Sequence, residues 1–117
     1  MNNNNLTLVV KDDWSIDLVY TNATTGAVID ITGSTIYFCI KRSPDDADAN
    51  AVLAVQKYTS LTNPTQGQTT IAVANTLTNV KAGEYYYQIV RKDASNKVTS
   101  TFIYKVDLDK KLIETLT

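Results

Sequence analysis

The chain has 117 residues, a formal net charge of −1 and no histidine. Its length fits one domain that can bury a core of its own, and its small net charge, with no basic stripe, argues against a nucleic-acid partner. Without histidine the usual serine triad, the cysteine–histidine pair and most zinc sites cannot be built, so an enzyme would be left with carboxylate or lysine chemistry.

No segment is predicted to direct the chain into a membrane or out of the cell. No apolar run approaches the ~18 residues of a transmembrane helix, and residues 1–10 lack the basic start and apolar centre of a secretory signal. Cys39 is the single cysteine, so no disulfide can form within a monomer. We therefore expect synthesis in a reducing cytoplasm and no membrane partner.

The predicted elements are short strands, because apolar and polar residues alternate repeatedly along the chain. We predict strands near residues 6–10, 13–20, 27–30, 35–42, 52–58, 69–73, 84–92 and 97–106. The residues predicted to face the core are Trp14, Ile16, Leu18, Tyr20, Ile36, Phe38, Ile40, Tyr85, Tyr87 and Ile89. In the last strand the alternation places Val98, Ser100, Phe102, Tyr104 and Val106 on one face.

Seven or eight such strands separated by turn residues predict an all-β fold, an antiparallel β-sandwich. One short helical turn fits near residues 74–82, ahead of the strand that carries three consecutive tyrosines. The stretch VKAGEY is similar to the corner of an immunoglobulin-type sandwich, where a tyrosine just inside the strand bonds back to the preceding turn. Tyr85 would fill that role, while Tyr86 would point outward, where an exposed tyrosine suits an interface.

Several stretches, in this order, resemble a phage family. They are DDWSIDLVYTN, VIDITGSTIYFCIKRSPDDADANAVL, PTQGQTTIAV and NVKAGEYYYQIVRKDASNKVTSTFIYKV. Together they resemble the immunoglobulin-like domain of phage baseplate upper proteins and of related phage tail or virion proteins. The resemblance covers residues 12–106 and depends on the order and spacing of the motifs. It implies an immunoglobulin-like β-sandwich that works without catalysis or cofactor, as an adaptor or decoration module in contact with other phage structural proteins.

An acidic loop is the one stretch that approaches a metal-binding motif. Asp46, Asp48 and Asn50 match the first three ligand positions of a calcium loop. The match then ends, because Ala51 stands where the motif has glycine and Lys57 stands where it has glutamate. We therefore expect a solvated acidic loop and no bound metal.

Carboxylates are the remaining route to catalysis. Glycoside hydrolysis needs two acids that face one cleft at a set separation. The candidates mostly flank turns, and nothing in their spacing pairs them: Asp12, Asp13, Asp17, Asp30 and Glu84. We predict that the protein is not an enzyme.

Outward-facing aromatic residues leave a second function open, that of a carbohydrate-binding adhesion module. Tyr37, Tyr58 and Tyr86 are the tyrosines that could stack on sugar rings. The partner would then be a host-surface glycan. An aromatic patch on one face of the structure would favour this alternative.

The two ends are predicted to make contacts outside the domain. We divide the chain into an N-terminal arm and first strand (1–11), the sandwich (12–106) and a C-terminal tail (107–117). The spacing of Leu108, Leu112 and Leu116 predicts a short amphipathic helix in the tail. The residues predicted to contact a partner are Tyr86, Leu108, Leu112, Ile113 and Leu116. The partner would belong to a homo-oligomer or another symmetric multi-copy assembly, in a virion made in the cytoplasm of a host bacterium.

Overall fold

The computed structural model describes residues 6–100 and 103–110. Eight strands are present in this part of the chain: β1 (Leu6–Val9), β2 (Trp14–Val19), β3 (Thr35–Lys41), β4 (Leu53–Tyr58), β5 (Gln68–Val73), β6 (Gly83–Lys92), β7 (Val98–Ser100) and β8 (Tyr104–Asp109). Two single turns of 3-10 helix, Asp48–Asn50 and Pro64–Gln66, lie in the loops. The prediction of an all-β fold is therefore confirmed.

The strands form two sheets. The larger sheet has the order β1-β8-β6-β3-β4, and β7 pairs with β6 beside β8. The smaller sheet consists of β2 and β5, which run antiparallel. The pairs within the larger sheet are also antiparallel, except that β1 lies parallel to β8.

One core lies between the two sheets, which gives the fold the layered arrangement of a β-sandwich. The smaller sheet contributes Trp14, Ile16, Ile71 and Val73. The larger sheet contributes Ile36, Phe38, Ile40, Leu53, Tyr85, Tyr87, Ile89, Val106 and Leu108. These side chains alternate along their strands, as the sequence predicted for β2, β3 and β6. Leu18 and Tyr20, also predicted to face inward, are partly buried against this core.

The chain turns sharply into β6, where Tyr85 fixes the turn. The Tyr85 side chain is 6% exposed, and its hydroxyl donates a hydrogen bond of 2.6 Å to the carbonyl of Lys81. The prediction that this tyrosine bonds back to the preceding turn is confirmed. Its neighbour Tyr87 packs in the core against the rings of Phe38 and Tyr104, at centroid distances of 6.0 and 5.8 Å.

Two of the predicted elements do not form. The strand predicted at residues 27–30 is reduced to one bridge, between Thr21 and Val28. The helical turn predicted near 74–82 is a hydrogen-bonded turn instead, in which Leu77 N donates to Ala74 O. The buried Thr78 anchors this loop to the chain ahead of β2, because its hydroxyl donates to the carbonyl of Asp12 at 2.7 Å.

The last predicted strand is divided. Ser100 pairs with Val90, and Tyr104 pairs with Tyr87. Tyr104 comes four positions after Ser100, whereas Val90 comes only three positions after Tyr87, so the chain from β7 to β8 has one residue more than the matching part of β6. One extra residue reverses the alternation. Val98 is consequently 60% exposed whereas Val106 is fully buried, and the prediction that they share a face is wrong. Phe102 lies outside the described residues.

The larger sheet also reaches beyond the predicted limits of the sandwich at residues 12 and 106. It includes β1 at one end of the chain and continues to Asp109 at the other. Leu108 therefore lies in a strand and not in a helical tail.

Candidate interaction surface

The larger sheet has an outer face, the side turned away from the β2–β5 sheet. It carries the residues that alternate with the core positions, and the strand register sets them in rows. Tyr37 pairs with Val90, Cys39 with Gln88, and Lys41 with Tyr86. Two further apolar side chains border these rows, Val55 of β4 and Ile103 ahead of β8.

Three of the six large apolar side chains that are exposed in the described residues lie on this outer face. Val55 is 40% exposed, Ile103 is 48% exposed, and Val98 lies at one end of the same face. The opposite surface, on β2 and β5, exposes Val19 beside a polar pair in which Thr70 Oγ1 donates to Asp17 Oδ1 at 2.8 Å. Exposed apolar patches of this kind mark contact surfaces more often than scattered single residues do.

Two shallow depressions meet on the outer face at Cys39 and Gln88. Tyr86, Pro44 and Ile103 border the first depression. The second is bordered by Tyr37, Val55, Val90 and Asp48. The loop after β3 supplies Pro44 and Asp48, so it forms a wall beside both depressions.

Lys41 holds this loop in place. Its Nζ donates a hydrogen bond of 2.7 Å to Asp48 Oδ1 and another of 3.0 Å to the carbonyl of Asp46. The hydrogen bond to the Asp48 carboxylate raises the pKa of the lysine. The loop whose Asp46, Asp48 and Asn50 match only the first positions of a calcium motif thus binds an ammonium group of its own chain. Within residues 6–100 and 103–110, no three acidic or cysteine side chains are grouped so that they could hold a metal ion.

The other carboxylates considered for catalysis take part in local structure. Asp13 accepts from the backbone N of Asn75 at 2.7 Å. Asp30 accepts two bonds from Thr32, which lower the pKa of its carboxyl. Glu84 is exposed on β6. Asp13, Asp17 and Asp30 therefore have structural partners.

The tyrosines predicted as sugar contacts do not all share one surface. Tyr37 and Tyr86 lie on the outer face. Tyr58 packs against the core instead, and its hydroxyl donates to the carbonyl of Ala72 in β5 at 3.0 Å. Burial raises the pKa of this phenol.

The predicted partner contacts have different positions. Tyr86 is half-buried and points to the outer face, as predicted. Leu108 is 2% exposed in the core, so the prediction that it contacts a partner is wrong. Alternation along β8 carries this leucine inward together with Val106. Leu112, Ile113 and Leu116 lie outside the described residues.

Sequence reasoning missed Val55 and Ile103. Strict alternation places Val55 on the same side as Leu53, but a register shift between β3 and β4 turns it outward. Ile103 follows the one-residue excess between β7 and β8. Cys39, the small half-buried residue between them, has a thiol whose pKa burial raises.

Comparison with known proteins adds no relative: no protein-family model and no curated protein sequence matches this chain. Across the described ranges, no helix combines the length and the apolar character needed to cross a membrane. The functional proposal therefore depends on the residues of the chain itself.

Proposed function

We propose that the chain is an immunoglobulin-like β-sandwich that serves as a non-catalytic structural module of a phage virion. The strand order supports this fold. With β2, β3, β4, β5, β6 and β7–β8 taken as strands B, C, C′, E, F and G, the larger sheet corresponds to the GFCC′ sheet of a variable-type domain. Strands B and E then form the opposite sheet.

The corner at Tyr85 is the second support for this fold. In immunoglobulin domains such a tyrosine stands near the start of strand F and bonds to backbone a few residues upstream, as Tyr85 does to Lys81. Two residues further on, immunoglobulin domains place a cysteine of the inter-sheet disulfide. Tyr87 fills that place here and packs against Phe38.

One observation carries the functional proposal: exposed apolar side chains from three parts of the chain, Val55, Val98 and Ile103, share one sheet face with half-buried tyrosines. A fold alone does not define a function, but exposed valine and isoleucine beside half-buried tyrosines suit protein contact. In a virion, symmetry repeats such a contact many times, so that a modest affinity suffices. The resemblance along residues 12–106 supports the particle as its setting and other phage structural proteins as its partners.

Mass spectrometry of purified particles tests this proposal. We expect peptides of the chain in gradient-purified virions of the phage that encodes it, in constant ratio to a major structural protein. An abundant host cytosolic protein serves as the control for carry-over. Loss of the chain from particles during purification, in step with that control, would contradict the proposal.

Carbohydrate binding is the alternative that a specific observation favours. Tyr37 and Tyr86 lie on the same outer face, four positions apart along adjacent strands, or about 14 Å. Gln88 lies between their rows and offers an amide. Glycan-array binding that the Tyr37→Ala and Tyr86→Ala variants abolish, while Tyr58→Ala does not, would establish this function.

A further inference from the structure

We infer that the outer face binds the same face of a second copy of this chain, in a two-fold dimer whose strands run antiparallel across the interface. This inference rests on the proposed function, because it names the partner of the surface described above. Three observations carry it: the uncharged central row of the face, its size, and the distribution of charge along it.

The central row of the face is uncharged. This row, Cys39 and Gln88, lies at the middle of β6, and the half-buried Tyr37, Tyr86 and Val90 lie in the rows on either side. The flanking rows also carry Lys41, Lys57 and Lys105. Neither central residue is charged. A two-fold axis through the central row would bring apolar side chains of both copies together and remove them from water.

The face supplies more than half of the area of a specific interface. Four strands, β4, β3, β6 and the β7–β8 pair, lie side by side at about 4.8 Å spacing and have 6, 7, 10 and 9 residues. At about 3.3 Å per residue they cover roughly 500 Å², to which the loop after β3 adds area. Specific interfaces bury about 800 Å² on each partner.

Charge differs between the two ends of the face. At one end Glu84 of β6 lies directly opposite Asp107 of β8, and both are exposed. Like charges directly opposite each other on a sheet are destabilising. At the other end of β6 lies Lys92, also exposed. Lys105 lies beside Asp107 on the same side of β8, and a cation from a second copy would add to it in offsetting the two acids.

The charges select the antiparallel arrangement. Parallel strands across the interface would place Glu84 of one copy against the partner's Glu84. A two-fold axis perpendicular to the strands instead places Glu84 of one copy against the partner's Lys92. Because the interface is isologous, this contact occurs twice. The same axis sets Cys39 opposite the partner's Cys39. A self-complementary face of this kind points to a second copy.

The oligomeric state of the full chain gives the first test. We expect a dimer in analytical ultracentrifugation at micromolar concentrations. Val55→Glu should raise the dissociation constant of the dimer at least about tenfold by placing a charge in the apolar area. Val19→Glu is the matched control, because Val19 is 63% exposed on the other sheet. Circular dichroism and thermal melting establish that both variants are folded.

Charge exchange tests the orientation. Glu84→Lys and Lys92→Glu should each weaken the dimer, since each creates two like-charge contacts. The double variant should restore it, and a mixture of the two single variants should form a heterodimer. A short thiol cross-linker at pH 8 should join two copies of the unmodified chain through Cys39. The Cys39→Ser variant should form no cross-linked dimer.

A chain that is monomeric at every concentration overturns the inference, and so does a dimer that Val55→Glu leaves intact. These results are separable from the virion proposal. A monomeric chain present in particles overturns the dimer alone. A dimeric chain absent from particles overturns the virion assignment alone.

Discussion

Replacing Tyr85 with phenylalanine isolates one hydroxyl group in the corner before β6. The ring remains in the core, where it is 6% exposed, and the hydrogen bond of 2.6 Å to the Lys81 carbonyl is lost. We expect Tyr85→Phe to fold into the same sandwich with a lower free energy of unfolding.

The size of the loss follows from what happens to the carbonyl. A buried hydrogen bond contributes about 1 kcal/mol net, and an acceptor left buried without a partner costs about 1–3 kcal/mol. The Lys81 side chain is exposed, so water can reach part of this turn. We therefore expect a loss of about 1–2 kcal/mol, which lowers the melting temperature by roughly 4–8 °C in a domain of this length.

Urea denaturation followed by tryptophan fluorescence measures the change, because Trp14 is buried in the same core. The next residue supplies a matched control. Tyr86→Phe removes the same hydroxyl from the same strand, but on the outer face, and should alter stability by less than about 0.5 kcal/mol. The slopes of the two denaturation curves should agree with that of the unmodified chain.

Equal denaturation midpoints for the two variants would show that the Tyr85 hydroxyl does not stabilise the corner. The assignment of an immunoglobulin-type corner would then lose its energetic basis, although the hydrogen-bond geometry would remain.

Three further outcomes are expected. Gly67→Ala should lower the free energy of unfolding by about 3 kcal/mol in urea titration, because Gly67 has φ +69° and a Cβ there would lie 2.6 Å from the backbone oxygen of Tyr20. Thr78→Val should cost about 1–2 kcal/mol in the same titration, since the valine cannot donate to the carbonyl that the threonine hydroxyl now satisfies. Burial raises the pKa of Tyr20, Tyr58 and Tyr87, so these phenols keep their protons in the folded chain at a pH where the unfolded chain loses them. Their contribution to stability should be complete below about pH 10 and should decline as pH rises through the folded pKa values. Thermal melts across this range should show a shallower decline for Tyr87→Phe, and a stability that is flat or rising above pH 10 would contradict the expectation.

Alternation predicted the strands because burial on one face of a sheet imposes a period of two. It succeeded for β2, β3 and β6, whose core residues follow that period without interruption. It failed at Val98, and strict alternation would also misplace Val55, because one local irregularity moves every following side chain to the other face. A sequence pattern gives the period of a strand but does not reveal where the register shifts.

Leu108 illustrates a second limit. Its spacing from Leu112 and Leu116 fits a helix, yet it also continues the alternation of Tyr104 and Val106. The structure follows the strand, because β1 lies beside β8 and covers its edge. β1 and β8 are far apart in the sequence and run parallel, so no turn motif predicts that they pair.

The outer face could be predicted only in part. Tyr86 was identified because three consecutive tyrosines cannot all face a core. Its neighbours on the face come from four different strands, and only the strand order brings them together.

The parallel pairing of β1 with β8 also has a consequence for how the chain is produced. Leu6 pairs with Val106, a separation of 100 positions. During synthesis β1 leaves the ribosome long before β8 exists, so it cannot occupy its place in the sheet until β8 has emerged. Closure of so long a loop carries an entropic cost that the inner strand pairs do not bear. Among the described strands, β1 is therefore expected to dock last.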